Sequence, residues 1–147
     1  LIKELGWVNT FWPLIVPAAA NAFGIFWMRQ FVDEAIPVEL YEAAKVDGAS
    51  DWWIYARVVI PLIRPGLAAL AVWTFLSTWN NFQLPLIVLN SPEKFTMPLA
   101  LTNLNSLYRS DTAAVMLGTT IGVLPVLIAF LLGTRHFIAG LTAGAVK

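Results

Sequence analysis

Charged residues are absent from three long stretches of the 147-residue chain, and these stretches define its architecture. No Asp, Glu, Lys or Arg occurs in residues 5–28, 65–92 or 112–134, which are 24, 28 and 23 residues long. A helix needs about 20 consecutive apolar residues to cross the hydrocarbon core of a bilayer. The pattern therefore predicts an all-α membrane protein with three transmembrane helices. They are placed at residues 10–31, 59–80 and 112–135.

The composition agrees with lipid as the surrounding solvent. Hydrophobic residues make up 59% of the chain and charged residues only 12%, whereas soluble domains carry about 25% charged residues. The formal net charge is zero, which gives no reason to expect a nucleic-acid partner. There is no Cys, and the single His, His136, has no second His beside it. The sequence therefore predicts no metal site, no disulfide and no cofactor.

Proline and glycine lie inside the predicted membrane helices. Pro17 is expected to bend the first helix, because proline removes a backbone hydrogen bond and crowds the preceding turn. Gly118 and Gly122 form a small-xxx-small step that lets another helix come close. Such residues are tolerated at membrane depth only where neighbouring helices satisfy the freed backbone groups. We therefore expect a larger bundle, and we expect this chain, which starts at Leu1, to lack an N-terminal portion.

The distribution of Lys and Arg predicts the orientation of the chain. The 29–64 connection holds four of the nine basic residues, whereas the 81–111 connection holds two. Loops on the cytoplasmic side carry an excess of basic residues. We therefore predict that the 29–64 loop and the tail at 136–147 are cytoplasmic, and that 81–111 is an outer loop.

The loop between the first two predicted spans has the pattern of two helices joined at a glycine. Pro37 stands at a helix start, and good helix formers follow to Val46. Gly48 suits the end of that helix because it adopts positive φ without a Cβ penalty. Ser50 then caps a second helix that begins at Asp51. We predict a helix–glycine–helix elbow at residues 36–57.

One face of the first loop helix is small and apolar. Leu40, Ala43 and Ala44 share that face by the i, i+3, i+4 rule. Small side chains on an exposed face permit close approach by another protein. A helical hairpin packed on its own bundle accounts for the same pattern, and composition alone does not separate the two interpretations.

A specific resemblance separates them. Glu42-Ala43-Ala44, three residues, Gly48, nine residues and then Val58-Val59-Ile60-Pro61 resemble the EAA loop of bacterial ABC importer permeases. That loop reads Glu-Ala-Ala-x3-Gly-x9-Ile-x-Leu-Pro, so Val58 and Ile60 are conservative apolar changes. Asp47-Gly48-Ala49 is similar to the carbohydrate-uptake branch. Further similarities at residues 21–31, 79–86 and 140–147 extend the resemblance to the maltose-type permeases over the whole chain.

The resemblance implies a transport subunit that is not itself an enzyme. In this family the EAA loop is the coupling helix, held in a cleft of a separate ATP-hydrolysing subunit, and each permease has about six spanning helices. The implied setting is the bacterial or archaeal plasma (inner) membrane. The implied partners are an ATP-binding subunit dimer, a second permease subunit, an extracytoplasmic solute-binding protein and membrane lipid.

The family's docking residues fall on the elbow of this chain. Ala43 and Ala44 would form the close contact, Glu42 would pair with a basic residue of the ATPase, and Gly48 would provide the turn. Leu40 or Tyr41 would fill a pocket. The remaining positions that the motif assigns to coupling are Asp47, Ala49 and Pro61.

Polar residues at membrane depth are candidates for the path of the solute. They are Asn21, Thr74, Ser77, Thr78, Asn80 and Asn81. Amide groups beside Trp rings suit a neutral polyhydroxylated ligand, because an amide both donates and accepts hydrogen bonds. Structural roles compete with this hypothesis, since Trp79 fits an interfacial belt and Asn80–Asn81 fits a helix C-cap.

Other functions remain open beside a sugar importer. A permease of this type could carry a polyol or glycerol phosphate. A secondary transporter also uses broken helices and a midplane polar site, but it usually has an ionisable coupling residue at membrane depth. A membrane-embedded enzyme would need a catalytic pair or metal ligands. The chain also has no G-x-x-x-x-G-K-[ST] phosphate loop, so energy from ATP would have to come from another chain.

The predicted orientation can be tested by thiol labelling, because the chain contains no native Cys. We expect single Cys substitutions in residues 38–56 to react with a membrane-impermeant maleimide only from the cytoplasmic side. Labelling of these positions from outside intact cells would contradict the predicted topology.

Overall fold

The computed structural model describes the backbone of residues 1–106 and 109–144, and the side chains of residues 1–104 and 111–133. Most of this part of the chain is α-helical. In order, the helices are α1 (Trp12–Ala19), α2 (Ala22–Ala35), α3 (Val38–Val46), α4 (Asp51–Ile54), α5 (Ile60–Trp79), α6 (Gln83–Val88), α7 (Met97–Leu104) and α8 (Thr112–Gly144). A π-helical turn (Tyr55–Val59) joins α4 to α5, and a 3-10 turn (Pro92–Lys94) precedes α7.

One short antiparallel ladder accompanies the helices. Strand β1 (Asn105–Ser106) pairs with β2 (Arg109–Ser110) in the segment that leads into α8. Each strand has only two residues. Within the described residues, the regular elements other than this hairpin are helical.

Two segments in the described part of the chain are long and apolar enough to cross a membrane. They are Asp51–Trp79, with 29 residues and a mean hydropathy of 1.8, and Thr112–Gly133, with 22 residues and a mean hydropathy of 2.4. Large apolar side chains on them stay exposed, as Met116 and Leu131 do at 67% and 71%. Such surfaces suit contact with lipid or with other helices.

The continuous helix predicted for residues 10–31 is wrong, because the chain forms α1 and α2 with a break at Ala20 and Asn21. Pro17 lacks an N–H, so it cannot join the i→i−4 ladder. Its carbonyl accepts a hydrogen bond from Ala20 N at 3.3 Å in a tighter turn, and Ala20 leaves the helical region at φ −98° and ψ 46°. Asn21 follows, and asparagine prefers the position before a helix to a helix interior. Instead of bending at Pro17 as expected, the helix breaks three residues later, at Ala20.

The other predicted boundaries also shift. The helix predicted at 59–80 begins earlier, because Asp51–Trp79 is continuous through the π-turn. The predicted outer loop at 81–111 contains α6, α7 and the β-hairpin, since its apolar residues form a core of their own. The helix predicted at 112–135 runs on to Gly144. Most of the predicted tail at 136–147 is therefore helical, and residues 145–147 lie outside the described residues.

The chain divides into two compact units, of which the first comprises residues 1–21 and 74–130. Its core centres on Val88, Leu89 and Leu99. Partly buried side chains pack around these three, namely Ile2, Leu14, Phe82, Leu84 and Phe95. This unit gathers the segment before α1 and the segment after α5 around one apolar centre.

Close packing of α7 on α8 depends on two glycines in the first unit. A Cβ on Gly118 would lie 2.5 Å from Leu101 Cδ2, and a Cβ on Gly122 would lie 3.2 Å from Met97 Cγ. The prediction that Gly118 and Gly122 admit a neighbouring helix is confirmed, and that neighbour is α7.

Asn9 joins the segment before α1 to the segment after α6. Its Nδ2 donates to Ser91 Oγ at 2.8 Å, and its Oδ1 accepts from Asn90 N and Ser91 N, both at 3.1 Å. Its backbone N donates to Val88 O, and its carbonyl accepts from Lys94 Nζ at 2.7 Å. Asn9 has φ +57°, a conformation that asparagine tolerates better than most residues. The set of bonds offsets the strain of that conformation.

The second unit comprises residues 22–73 and 131–147. Phe31 of α2 packs on Gly66 of α5, where a Cβ would lie 2.6 Å from the ring. Phe23 stacks obliquely on Trp73, with ring centroids 4.4 Å apart. These contacts hold α2 against α5, and neither of them involves α3.

We expect Gly66→Val to destabilise the second unit by about 1–3 kcal/mol, because the added methyl groups overlap Phe31. The measurement is thermal unfolding of the purified protein in detergent. Ala71→Val on the exposed side of α5 is the control, since it makes the same β-branched change without that overlap. Equal melting temperatures for the two variants would contradict the packing argument.

Candidate functional site

The elbow between α2 and α5 turns at Gly48, which has φ +78° as predicted for a glycine that ends a helix. Gly48 N donates to Lys45 O and Ala49 N donates to Ala44 O, both at 3.0 Å. This pair of bonds is a Schellman motif, which satisfies the last carbonyls of α3. A Cβ at Gly48 would meet open space, so the requirement for glycine is conformational and not steric.

The second arm of the elbow begins with the predicted serine cap. Ser50 is extended at φ −72° and ψ 154°, and its Oγ accepts a hydrogen bond from Trp53 N at 3.3 Å. Ile54, one turn later, is 2% exposed. The cap starts the helix and the buried isoleucine anchors it, so the second arm has a fixed direction.

A side-chain clamp closes the elbow across its turn. Asp51 Oδ1 accepts a hydrogen bond from Tyr41 OH at 2.9 Å and lies 2.5 Å from Lys45 Nζ. Lys45 Nζ also lies over the Tyr41 ring, 5.6 Å from its centroid. The hydrogen bond to Asp51 raises the pKa of Lys45 above its usual value. We define these three residues as the elbow clamp.

Sequence reasoning missed the elbow clamp. The available signal was that Tyr41 and Lys45 stand at i and i+4, on one face of α3. The sequence did not give the angle of the turn, which brings Asp51 back to that face of α3. Motif spacing alone does not give such an angle.

The clamp leaves the opposite face of α3 exposed. Val46 is 87% exposed and Leu40 41% exposed, and Ala43 and Glu42 are exposed as well. Ala44 is half-buried. The two alanines of the predicted contact face therefore differ, with Ala43 on the open side and Ala44 turned toward the chain.

The motif proline, Pro61, follows the π-helical turn. Within that turn, Ile60 N donates to Tyr55 O, a bond that spans five residues instead of four. Proline removes a backbone donor and crowds the carbonyl four residues before it. The long helix is nevertheless continuous through Pro61. Asp47, Ala49 and Pro61 lie along the path from α3 to α5, with Ala49 half-buried and the other two exposed.

The candidate solute-path residues fall into two places. Five of them lie on the end of α5 and just after it. They are Thr74, Ser77, Thr78, Asn80 and Asn81. Ser77 Oγ donates to Thr74 O and Asn80 Nδ2 donates to Leu76 O, while Asn81 Oδ1 accepts from Leu84 N at 3.4 Å. Asn21 lies at the break between α1 and α2 and is half-buried.

Two contacts with Gly122 fix the position along α8 at which α5 ends. Trp79 Nε1 donates to Gly122 O at 3.1 Å, and Met97, the first residue of α7, packs on the same glycine. Gly122 lies ten residues after Thr112, or about 15 Å along α8 at 1.5 Å per residue. Both ends of the 80–96 segment therefore meet α8 about halfway along its 22-residue apolar stretch.

Trp79 is thus an interhelical contact and not only a candidate belt residue. An indole N–H in apolar surroundings needs a partner, and a carbonyl has a second lone pair to offer. Pro125 lies three residues beyond Gly122 in the same helix. The bond fastens the end of α5 to α8 in the first unit.

The chain resembles known transport proteins along almost its whole length. Residues 2–142 match the family described as binding-protein-dependent transport system inner membrane component. An arabinooligosaccharides transport system permease protein from Halalkalibacterium halodurans is 38% identical over all of this chain and 52% of its own length. A lactose transport system permease protein from Rhizobium radiobacter is 40% identical over all of this chain and 53% of its own length. The chain thus spans about half the length of these relatives.

Further relatives give the same picture. A diacetylchitobiose uptake system permease protein from Streptomyces coelicolor is 34% identical over all of this chain and 54% of its own length. Among solved structures, a bacterial ABC transporter involved in the import of the acidic polysaccharide alginate matches with a TM-score of 0.74. It is 29% identical over 92% of this chain and 53% of the matched chain.

We expect Trp79→Phe to lower stability by about 1 kcal/mol, because the ring remains while the hydrogen bond to Gly122 is lost. Chemical or thermal unfolding in detergent measures the change. Trp73→Phe is the matched control, since it retains the aromatic contact with Phe23. A loss no larger for Trp79→Phe than for Trp73→Phe would contradict the role of the indole N–H.

Proposed function

The chain belongs to the family of binding-protein-dependent transport system inner membrane components, and from that premise we propose that it is part of a permease subunit of an ATP-driven sugar importer. The exposed face of α3 carries this proposal, because it offers a docking surface for an ATP-hydrolysing partner. Relatives named for arabinooligosaccharides, lactose and diacetylchitobiose support a carbohydrate as the solute.

Docking would use the open side of α3. Val46 and Leu40 offer apolar contact, and Ala43 lets a partner surface approach the helix backbone. Glu42 is exposed on the same helix, where it would meet a basic residue of the ATP-binding subunit. The combination of a small apolar patch with a flanking carboxylate is typical of a surface that fits into a cleft with a basic rim.

The excess of Lys and Arg in the 29–64 connection supports a cytoplasmic elbow. ATP is on that side of the membrane, so the orientation agrees with docking on an ATPase. In this topology the long helix from Asp51 to Trp79 carries motion of the elbow toward the membrane interior.

The solute would pass the end of α5. Trp79 and Met97 meet α8 halfway along its apolar stretch. With α8 spanning the bilayer, the non-helical residues near Asn80 and Asn81 would lie at membrane depth. Irregular backbone is tolerated there only where it is buried in protein or lines a water-filled cavity. Asn80 and Asn81 are exposed in this chain, which favours a cavity. The break at Asn21 offers a second polar position of the same kind.

The partners of such a subunit would be an ATP-binding subunit dimer, a second permease and an extracytoplasmic solute-binding protein. Residues for ATP hydrolysis would belong to the ATP-binding subunit. A polyol or glycerol phosphate would suit the same path, and the uptake assay below distinguishes them from sugars.

We expect Glu42→Lys and Gly48→Arg each to reduce uptake at least tenfold while membrane insertion stays normal. The first reverses a charge at the docking face, where a broken charge pair costs about 2–5 kcal/mol. The second forces a side chain into the left-handed region. The measurement is solute-stimulated ATP hydrolysis and uptake by the full-length subunit in a reconstituted complex, with lactose, arabinooligosaccharides, sorbitol and glycerol phosphate tested in turn.

Glu34→Lys is the control, because it reverses an exposed charge on α2 and leaves the residues of α3 unchanged. We expect it to retain uptake within about twofold, as surface substitutions away from a contact usually do. Normal solute-stimulated hydrolysis in both elbow variants would count against the docking role. Transport driven by an ion gradient without ATP would favour a secondary transporter instead.

A further inference from the structure

We propose that Asp51 is a positioning residue that fixes the docking helix α3 to the base of the long helix Asp51–Trp79. The inference rests on the proposed function, since it assigns to the elbow clamp the task of presenting α3 to the ATP-binding subunit. Asp51 falls on one of the nine unspecified positions of the EAA pattern, so its assignment comes from geometry.

The clamp joins two elements that the backbone alone connects loosely. Between Val46 and Asp51 the chain makes a glycine turn followed by an extended residue, Ser50. A single carboxylate oxygen of Asp51 receives both the Tyr41 hydroxyl and the Lys45 ammonium. Two donors one helical turn apart on α3 fix both the angle and the roll of that helix against α4.

The other connection of α3 has no comparable contact among the described side chains. Helix α2 ends at Ala35, and Pro37 is extended at φ −60° and ψ 141° before α3 begins. The backbone bond from Leu40 N to Pro37 O, at 3.1 Å, stays within the start of α3. The described contacts therefore tie α3 to the helix after it and not to the helix before it.

The position of Asp51 makes this tie mechanically direct. Asp51 is the first residue of the long helix, which runs through the π-turn and Pro61 without a break. The face of α3 opposite the clamp holds Ala43 and Val46, which stay exposed. A fixed roll of α3 keeps this face outward, so the clamp pre-organises the docking surface. Pre-organisation raises apparent affinity because a larger fraction of molecules is competent to bind.

The test is a double-mutant cycle on the full-length subunit assembled with its partner permease. The variants are Asp51→Asn, Lys45→Met and the double variant. The ATP-binding subunit is titrated, and ATP hydrolysis gives both its apparent affinity and the turnover at saturation. We expect each single variant to weaken apparent affinity about two- to fivefold, the range of exposed ion pairs, with turnover at saturation unchanged. The double variant should be no weaker than the weaker single variant, because the pair acts as one unit.

Asp33→Asn is the matched control. Asp33 also pairs with a cation in an exposed setting, Arg29 at 4.0 Å, but both residues lie on α2 and no turn is bridged. We expect its apparent affinity to equal that of the unaltered subunit. A nitroxide spin label at Val46 gives a second readout, and its mobility should increase in Asp51→Asn and stay constant in Asp33→Asn.

The outcomes separate the two hypotheses. If Asp51→Asn binds the ATP-binding subunit as tightly as the unaltered chain does, or if the single effects simply multiply in the double variant, the positioning role is overturned. If the unaltered chain has no affinity for the ATP-binding subunit, the proposed function itself fails.

Discussion

Helix interruptions inside the apolar stretches of the described chain have to satisfy their backbone hydrogen-bonding groups largely within the protein, and much of the architecture follows from that constraint. Unpaired N–H and C=O groups cost several kcal/mol each in an apolar environment. The chain behaves differently at two of its prolines. At Pro61 the helix is continuous behind a π-turn, and after Pro17 the helix ends in a tighter turn. Beyond the end of α5, the indole N–H of Trp79 is satisfied by the carbonyl of Gly122 in α8.

These interruptions distinguish two segments of the chain. The helix from Asp51 to Trp79 is continuous over 29 residues, whereas the segment 10–31 is broken at Asn21. Under the proposed function, the continuous helix would follow the ATP-binding subunit, and the broken segment would let the path for the solute open and close. The elbow clamp at Asp51 joins α3 to the base of the continuous helix.

Local chemistry accounts for what the sequence could predict. The turn at Gly48 and the cap at Ser50 each depend on one residue type at one position, so both were readable from the chain. The close approach at Gly118 and Gly122 was readable for the same reason, although its partner, α7, was not. The apolar parts of Asp51–Trp79 and Thr112–Gly133 were readable from the charge-free stretches at 65–92 and 112–134, whereas the start of the first helix at Asp51 was not.

Features that depend on the chain folding back on itself could not be predicted from the sequence. The clamp needs Asp51 to fold back on Tyr41 and Lys45, and no spacing rule gives that angle. The 81–111 region was expected to be a loop, although it has no charged residue before Glu93. Its helices are short, and their apolar side chains pack on one another and on the N-terminal segment, which the sequence pattern does not reveal. The break at Asn21 was hidden because apolar composition does not distinguish one helix of 22 residues from two shorter ones. For the clamp and for the 81–111 region the missing information was tertiary contact, which overrides local preference.

The docking of α3 is the central claim, and protection of a thiol at Ala43 tests it most directly. Ala43→Cys places one thiol on the exposed face opposite the clamp, in a chain without native cysteine. The rate of its reaction with a membrane-impermeant maleimide is measured in inside-out vesicles, with and without the ATP-binding subunit. The account predicts rapid labelling of the free permease and at least tenfold slower labelling of the assembled complex. An equal rate in both states would contradict it.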